Sequence, residues 1–146
     1  MPRQQGAFDW QGRLESEGSV TFGSSLPLSG VSLTVTHDGV RFGRGSVVAF
    51  DRLSSVGVAR SNLTVTYAAL PGERLHGRER STGEKLTMVS LPRRSRFHPD
   101  DLAVWLLKLK GGPSAEVVQE TRTLGRVFRL RAGEFPGSPG GGAASG

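Results

Sequence analysis

The sequence predicts a mainly β fold, a small, partly open antiparallel barrel or sandwich of about seven strands that is capped by one C-terminal α-helix. Short segments of alternating apolar and polar residues recur between residues 13 and 91, and tight-turn sequences separate them. The segment at 98–110 instead repeats its apolar residues at helical spacing. The chain has 146 residues, a length at which one domain is expected.

A β-hairpin is the strongest strand signal in the chain. In residues 31–36 (VSLTVT), valine and leucine alternate with serine and threonine, which is typical of a half-buried strand. Residues 37–39 (HDG) then supply a turn, and alternation resumes in 40–42 (VRF). We therefore expect two antiparallel strands joined by a tight turn.

The remaining strands are predicted on both sides of this hairpin. They are a first strand at 13–23, then strands at 46–50, 53–59, 62–70 and 85–91, with a polar edge strand at 73–80. Residues 23–30 (GSSLPLSG) are a turn-rich connection. In the last strand, either Leu86 and Met88 or Val89 and Leu91 could face the core.

The helix at 98–110 is marked by consistent local signals. Pro99 suits the first helical position, and two aspartates follow in the first turn, where negative charge is favoured. Gly111, Gly112 and Pro113 stop the helix. One apolar stripe contains Leu102, Trp105, Leu106 and Leu109.

These elements divide the chain into four parts. Residues 1–12 are expected to be a flexible N-terminal lead or a strap laid over the domain, and 13–112 the β-domain with its closing helix. Residues 113–132 fit either an extra helix or an extra strand. Residues 133–146 are rich in Gly, Pro and Ser, which predicts a disordered tail.

The order of about seven short strands followed by one helix resembles the pleckstrin-homology-like superfamily, including its GRAM and bacterial members. The resemblance runs from about Leu14 to Lys110. Residues 31–59 (VSLTVTHDGVRFGRGSVVAFDRLSSVGVA) look like the GRAM-type pattern, and Trp105 lies inside the closing helix, as a Trp does in many members. Phosphoinositide-binding members carry basic residues around the first hairpin loop, whereas 23–30 contains none. The resemblance therefore implies a binding module without that lipid pocket.

The residues that could carry chemistry do not assemble into a recognisable catalytic or metal-binding motif. The chain has no cysteine, which excludes thiol nucleophiles and thiolate metal ligands. His37, His76 and His98 are not at metal-ligand spacing, and 43–46 (GRGS) reads as a hairpin turn rather than a phosphate loop. We expect a non-enzymatic protein that needs no cofactor and no metal.

Positive charge is the main chemical signal. The net charge is +6, and most of the 19 basic residues are arginines, which suit phosphate and carboxylate partners. Two clusters are candidate anion-binding or partner-binding sites. The first, expected on one face of the strand at 73–80 and its hairpin partner, contains Arg74, His76, Arg78, Arg80 and Lys85. The second, in the loop before the helix, contains Arg93, Arg94 and Arg96.

The sequence favours a module for protein–protein interaction, acting through a sheet edge or through the groove beside the closing helix. Its expected partner is another protein or a second copy of the chain. A candidate docking surface contains Val117, Leu124, Val127 and Phe128. The alternative is electrostatic binding of anionic membrane lipid or nucleic acid through the Arg clusters. Because we find neither a secretory signal nor a membrane span, we expect a cytoplasmic protein that is not integral to a membrane.

Overall fold

The computed structural model of the chain describes residues 2–23, 31–91 and 97–131, with side chains described from Asp9 onward. These residues form nine strands and three α-helices. The strands are β1 (Ser19–Phe22), β2 (Leu33–Thr36), β3 (Gly39–Phe42), β4 (Val47–Ala49), β5 (Leu53–Ala59), β6 (Asn62–Ala68), β7 (Glu84–Ser90), β8 (Val117–Arg122) and β9 (Gly125–Leu130). The helices are α1 (Pro2–Glu17), α2 (Arg78–Thr82) and α3 (Pro99–Gly111), with a 3-10 helix at Phe50–Arg52.

The strands lie in two antiparallel sheets that do not close into a barrel. The first sheet has the order β1-β2-β3-β4 and the second the order β7-β6-β5-β9-β8. A parallel bridge between Val31 and Val89 connects the segment before β2 with β7. The mainly β prediction is confirmed at this level, with nine strands in the described ranges in place of about seven.

The predicted hairpin is β2–β3, in which Leu33 lies opposite Phe42 and Val35 opposite Val40. The Thr36 hydroxyl accepts the backbone N–H of Gly39 at 3.2 Å in the turn. Gly39 also lies against β4, where a Cβ would come within 2.0 Å of the Val48 carbonyl oxygen. Glycine is thus required here by the close approach of two strands.

Helix α3 confirms the helical prediction. The His98 side chain caps its start by accepting the backbone N–H of Asp100 at 3.1 Å, in keeping with a helix that begins at Pro99. The buried residues of α3 include most of the predicted stripe, and Leu109 is partly buried against the core. They are Leu102, Ala103, Trp105, Leu106 and Leu107.

Helix α1 occupies the positions of the predicted lead or strap, and it packs on the domain as a strap would. It also replaces the first half of the predicted first strand, which is wrong there. Trp10, 5% exposed, and Leu14 are buried one helical turn apart. The Trp10 ring packs edge-on against Phe22 and Phe97, with centroid distances of 5.3 and 4.9 Å. An i, i+4 apolar pair gives a helix a buried side even when the rest of its surface is polar. Strand pairing therefore begins only at Ser19.

The polar edge strand predicted at 73–80 is also absent. Residues 73–76 are irregular and α2 follows them. Local side-chain hydrogen bonds satisfy the backbone here: Glu73 accepts the N–H of Leu70 at 2.8 Å, and Glu79 accepts that of His76 at 2.9 Å. Such bonds compete with a strand ladder, so the alternation of charged residues in this segment is not strand periodicity.

Of the two alternatives for 113–132, the strand is the one observed. Strands β8 and β9 form a hairpin, and β9 pairs with β5, placing Phe128 opposite Val56 and Val127 opposite Gly57. Because β9 lies beside β5 inside the second sheet, the β-domain does not end at residue 112 as predicted. The predicted tail at 133–146 lies outside the described residues.

Candidate binding surface

The first basic cluster does not share one strand face. Arg74, His76, Arg78 and Arg80 are exposed on the connection between β6 and β7. They are spread over irregular chain and α2, so the parity that placed them on one face does not apply. The second cluster (Arg93, Arg94 and Arg96) lies outside the described residues.

Lys85, the remaining member of the first cluster, belongs to an ion-pair network around Glu73. The carboxylate of Glu73 accepts hydrogen bonds from Lys85 at 3.0 Å and from Arg52 at 3.4 Å. The hydrogen bond from the backbone N–H of Leu70 is the main cause that lowers the pKa of Glu73, and the hydrogen bond from Lys85 lowers it further. The same hydrogen bond to Glu73 raises the pKa of Lys85. Because Glu73 offsets part of this positive charge, Lys85 is not a free anion ligand.

The four residues of the predicted docking surface lie on opposite faces of the second sheet. Phe128, 4% exposed, and Val117 face the core. Leu124 and Val127 lie on the outer face, beside a depression. Strand alternation explains the separation, since neighbouring residues of a strand point to opposite faces. The predicted set is therefore not one surface, and only Leu124 and Val127 are available to a partner.

The depression on the outer face of the second sheet has a volume of about 270 Å³. Its floor consists of small residues of β5 and β6, including Gly57, which carries no side chain. Leu86 of β7 stands on one side, and Leu124 and Val127 of the β8–β9 hairpin stand on the other. The remaining floor residues are Ser55, Ala59, Thr64 and Thr66.

Three large apolar side chains are exposed along this face. Leu124 is 85% exposed, Leu86 59% and Met88 52%. Leu86 and Met88 lie outward because Val89 and Leu91 take the core positions of the same segment. A strand that is apolar in both phases was the sequence signal for this surface, because only one phase can be buried.

The charges beside Leu124 carry a positive excess. Glu120 pairs with Arg122 at 2.9 Å and with Arg129 at 3.1 Å, and the hydrogen bond from Arg122 lowers the pKa of Glu120. Arg126 pairs with Asp100 at 2.8 Å. Two arginines thus share the carboxylate of Glu120, and one of them, Arg122, lines the depression.

No known protein family, curated protein or solved structure matches this chain. Its function therefore has to be inferred from the chemistry of its own surfaces.

The groove expected beside the closing helix is filled on one side. Helix α1 packs against α3 there, with the Trp10 and Trp105 rings 5.5 Å apart. The Trp105 indole N–H donates to the Gln11 side-chain oxygen at 3.0 Å. This contact leaves the sheet surfaces as the better candidates for binding a partner.

The described ranges 2–23, 31–91 and 97–131 also bear on metal binding and on membrane insertion. No group of three or more His, Asp or Glu side chains in these ranges could hold a metal ion. Within the same ranges, no helix is both long enough and apolar enough to cross a membrane.

Proposed function

We propose that the protein is a non-enzymatic binding module that receives an apolar segment of a partner protein on the outer face of its five-stranded sheet. The observation that carries the proposal is the depression of about 270 Å³ with Leu86 and Leu124 on its sides and Met88 beside it. Exposed apolar side chains gathered around a concave surface are typical of protein interaction sites.

The size and lining of the depression favour a protein segment over a small-molecule ligand. Small-molecule pockets usually enclose about 300–1,000 Å³ and direct several polar groups at one point. Here the floor consists of Gly57 and of alanine, serine and threonine side chains on the outer face of β5 and β6. Such a shallow surface is suited to one or two apolar side chains. The two arginines that share Glu120 favour a segment with a carboxylate next to its apolar residues.

The proposal extends to the fold family. Seven strands followed by α3 is the order that resembles pleckstrin-homology-like domains, and small barrels of that type often bind peptides. The helix before the first strand and the hairpin after α3 would then be additions to that order. The hairpin supplies Leu124, so the proposed surface belongs in part to such an addition.

A random peptide library displayed on phage and panned against the intact protein tests the proposal. We expect enriched peptides that combine apolar and acidic residues, and their binding should fall at least about tenfold in the double variant Leu86→Ser, Leu124→Ser. Val47→Ser is the matched control, because Val47 is an exposed apolar residue on the other sheet. A failure to enrich peptides, or equal binding by the double variant, would contradict the proposal.

Electrostatic binding to anionic lipid or nucleic acid stays a prediction. Vesicles containing phosphatidylserine and a short DNA duplex, each at low and moderate salt, would test it, because phosphate-driven binding weakens steeply with salt. Reversing the charge of Arg74, Arg78 and Arg80 should then abolish binding.

A further inference from the structure

The free edge of the second sheet is strand β8, and the direction of its backbone groups can be assigned. The N–H of Arg131 donates to the carbonyl of Glu116 at 2.9 Å, and Arg122 lies opposite Gly125 at the two-residue turn. Residue pairs alternate between hydrogen-bonded and non-bonded in an antiparallel ladder. The even-numbered residues of β8 therefore bond to β9, and the odd-numbered residues present their N–H and C=O groups to the open edge.

Three residues of β8 carry these outward groups, namely Val117, Gln119 and Thr121. Within the part of the chain that the structure describes, no strand pairs with this edge. Gln119 and Thr121 are also exposed to solvent. An exposed edge of this kind is a template for pairing with another strand.

Charged side chains usually protect a sheet edge, but those around β8 have mixed sign. Glu116, Glu120 and Arg122 share one face of the edge, because the register places residues of even number on the same side. A run of one sign would repel a second copy of the same strand. Here the acidic residue at one end can meet the basic residue at the other when the two strands run antiparallel.

We propose that β8 pairs antiparallel with β8 of a second copy of this chain, about a twofold axis through Gln119. Only registers that pair odd-numbered residues with each other form backbone hydrogen bonds at this edge. The axis at Gln119 also places Val117 opposite Thr121 of the second copy, so all three outward residues are used. The result is one continuous sheet with about six new backbone hydrogen bonds, two for each facing pair.

The charges favour this register. It places Glu116 of each copy opposite Arg122 of the other, and opposite charges directly across two strands are stabilising. Within one chain Arg122 pairs with Glu120 at 2.9 Å and Glu116 pairs with Arg131 at 2.8 Å. In the dimer Glu120 would keep Arg129, which it holds at 3.1 Å, and the second carboxylate oxygen of Glu116 would accept Arg122 of the other copy while the first stays with Arg131. The interface is isologous and closes on itself, as in most homodimers.

Analytical ultracentrifugation of the full chain over a range of concentrations tests the proposal. We expect a monomer–dimer equilibrium that weakens at least about tenfold in Thr121→Pro, because proline removes an N–H directed at the edge and is tolerated on edge strands. Thr121→Val keeps that N–H and should dimerise like the original protein. A monomer at all concentrations, or a dimer insensitive to proline, would overturn the proposal.

A charge-reversal set tests the register and does not depend on how well the proline variant folds. Glu116→Lys and Arg122→Glu should each weaken the dimer, whereas the double variant should recover most of the affinity, because its new charges are again opposite. No recovery in the double variant would exclude this register. The Leu86→Ser, Leu124→Ser variant should dimerise normally, and Thr121→Pro should still bind the selected peptides, so failure of either proposal can be recognised separately.

Discussion

Single residues set how closely the strands of the second sheet can approach one another. A Cβ at Gly125 would lie 2.1 Å from the carbonyl oxygen of Val58, which is backbone and cannot rotate away. A Cβ at Gly57, on the neighbouring strand, would find its nearest atoms at 3.7 Å. The two glycines therefore differ in function: Gly125 permits β9 to pair with β5, whereas Gly57 leaves space on the outer face.

We predict that Gly125→Ala lowers the free energy of unfolding by about 1–3 kcal/mol, because the added methyl group forces β9 away from β5. Gly57→Ala is the matched control and should change stability by less than about 1 kcal/mol. Urea unfolding of both variants measures the difference. Equal stabilities would mean that β5 and β9 can separate enough at Gly125 to accept a methyl group without cost.

Glu73 gives stability a specific dependence on pH. Its pKa is lowered below the ordinary value of 4.5, so its network stabilises the fold above that pH, and the contribution is lost as the pH falls through the folded-state pKa. Glu73→Gln should therefore flatten the loss of stability on acidification. Urea unfolding from about pH 7 to about pH 3 measures this. Asp51→Asn, which removes the exposed carboxylate of the residue before Arg52, is the control, and an equal effect of both variants would count against the network.

At the scale of elements, the sequence predicted those whose signals are local. Strands β2, β3 and β6 follow alternation, and α3 has a proline, an apolar stripe and a glycine stop within one segment. Strand β5 was also predicted, although a register shift between Leu53 and Ser55 interrupts its alternation. Helix α1 has no such local signal. It is stabilised by one buried side, which contacts residues far along the chain. The predicted docking residues lie on two faces of the sheet for a related reason. In the β8–β9 hairpin Val127 and Phe128 point to opposite faces, whereas the sequence periodicity was compatible with either a helix or a strand.

Helix α1 is held against the rest of the protein chiefly by Trp10 and Leu14. Trp10→Ala should destabilise the protein by about 3–5 kcal/mol, as expected for a buried large aromatic side chain, and Trp105→Ala should do the same because both rings belong to one cluster. Guanidinium unfolding followed by far-UV circular dichroism measures both. A loss below about 1 kcal/mol for Trp10→Ala would mean that α1 is not docked.

The β8–β9 hairpin should be needed for stable folding. A chain ending at Gly112 should fail to fold stably, because Phe128 leaves the core and β5 loses one of its two neighbours. A chain ending at Arg131 keeps both and should match the full protein in its unfolding midpoint. If the shorter chain unfolds cooperatively at a similar denaturant concentration, the hairpin is an appendage and the predicted boundary at 112 would be restored.

At the scale of the whole molecule, the two sheets share one core. Buried residues of both sheets, of α1 and of α3 belong to a single apolar cluster. The sequence predicted this mainly β organisation from composition and periodicity. It could not predict which surface remains open, because that depends on how α1 covers α3 and on which phase of β7 faces inward.

The pairing of β5 with β9 has a consequence for how the protein is made. Strand β5 lies between β6, its neighbour in sequence, and β9, one of the last described elements of the chain. Trp105 likewise bonds to Gln11, 94 residues away. Contacts of such high sequence separation slow folding, since the chain must close long loops before it gains their stabilisation. During synthesis β5 therefore leaves the ribosome before β9, and one of its backbone edges has no strand to pair with. That edge can pair wrongly until the β8–β9 hairpin has emerged.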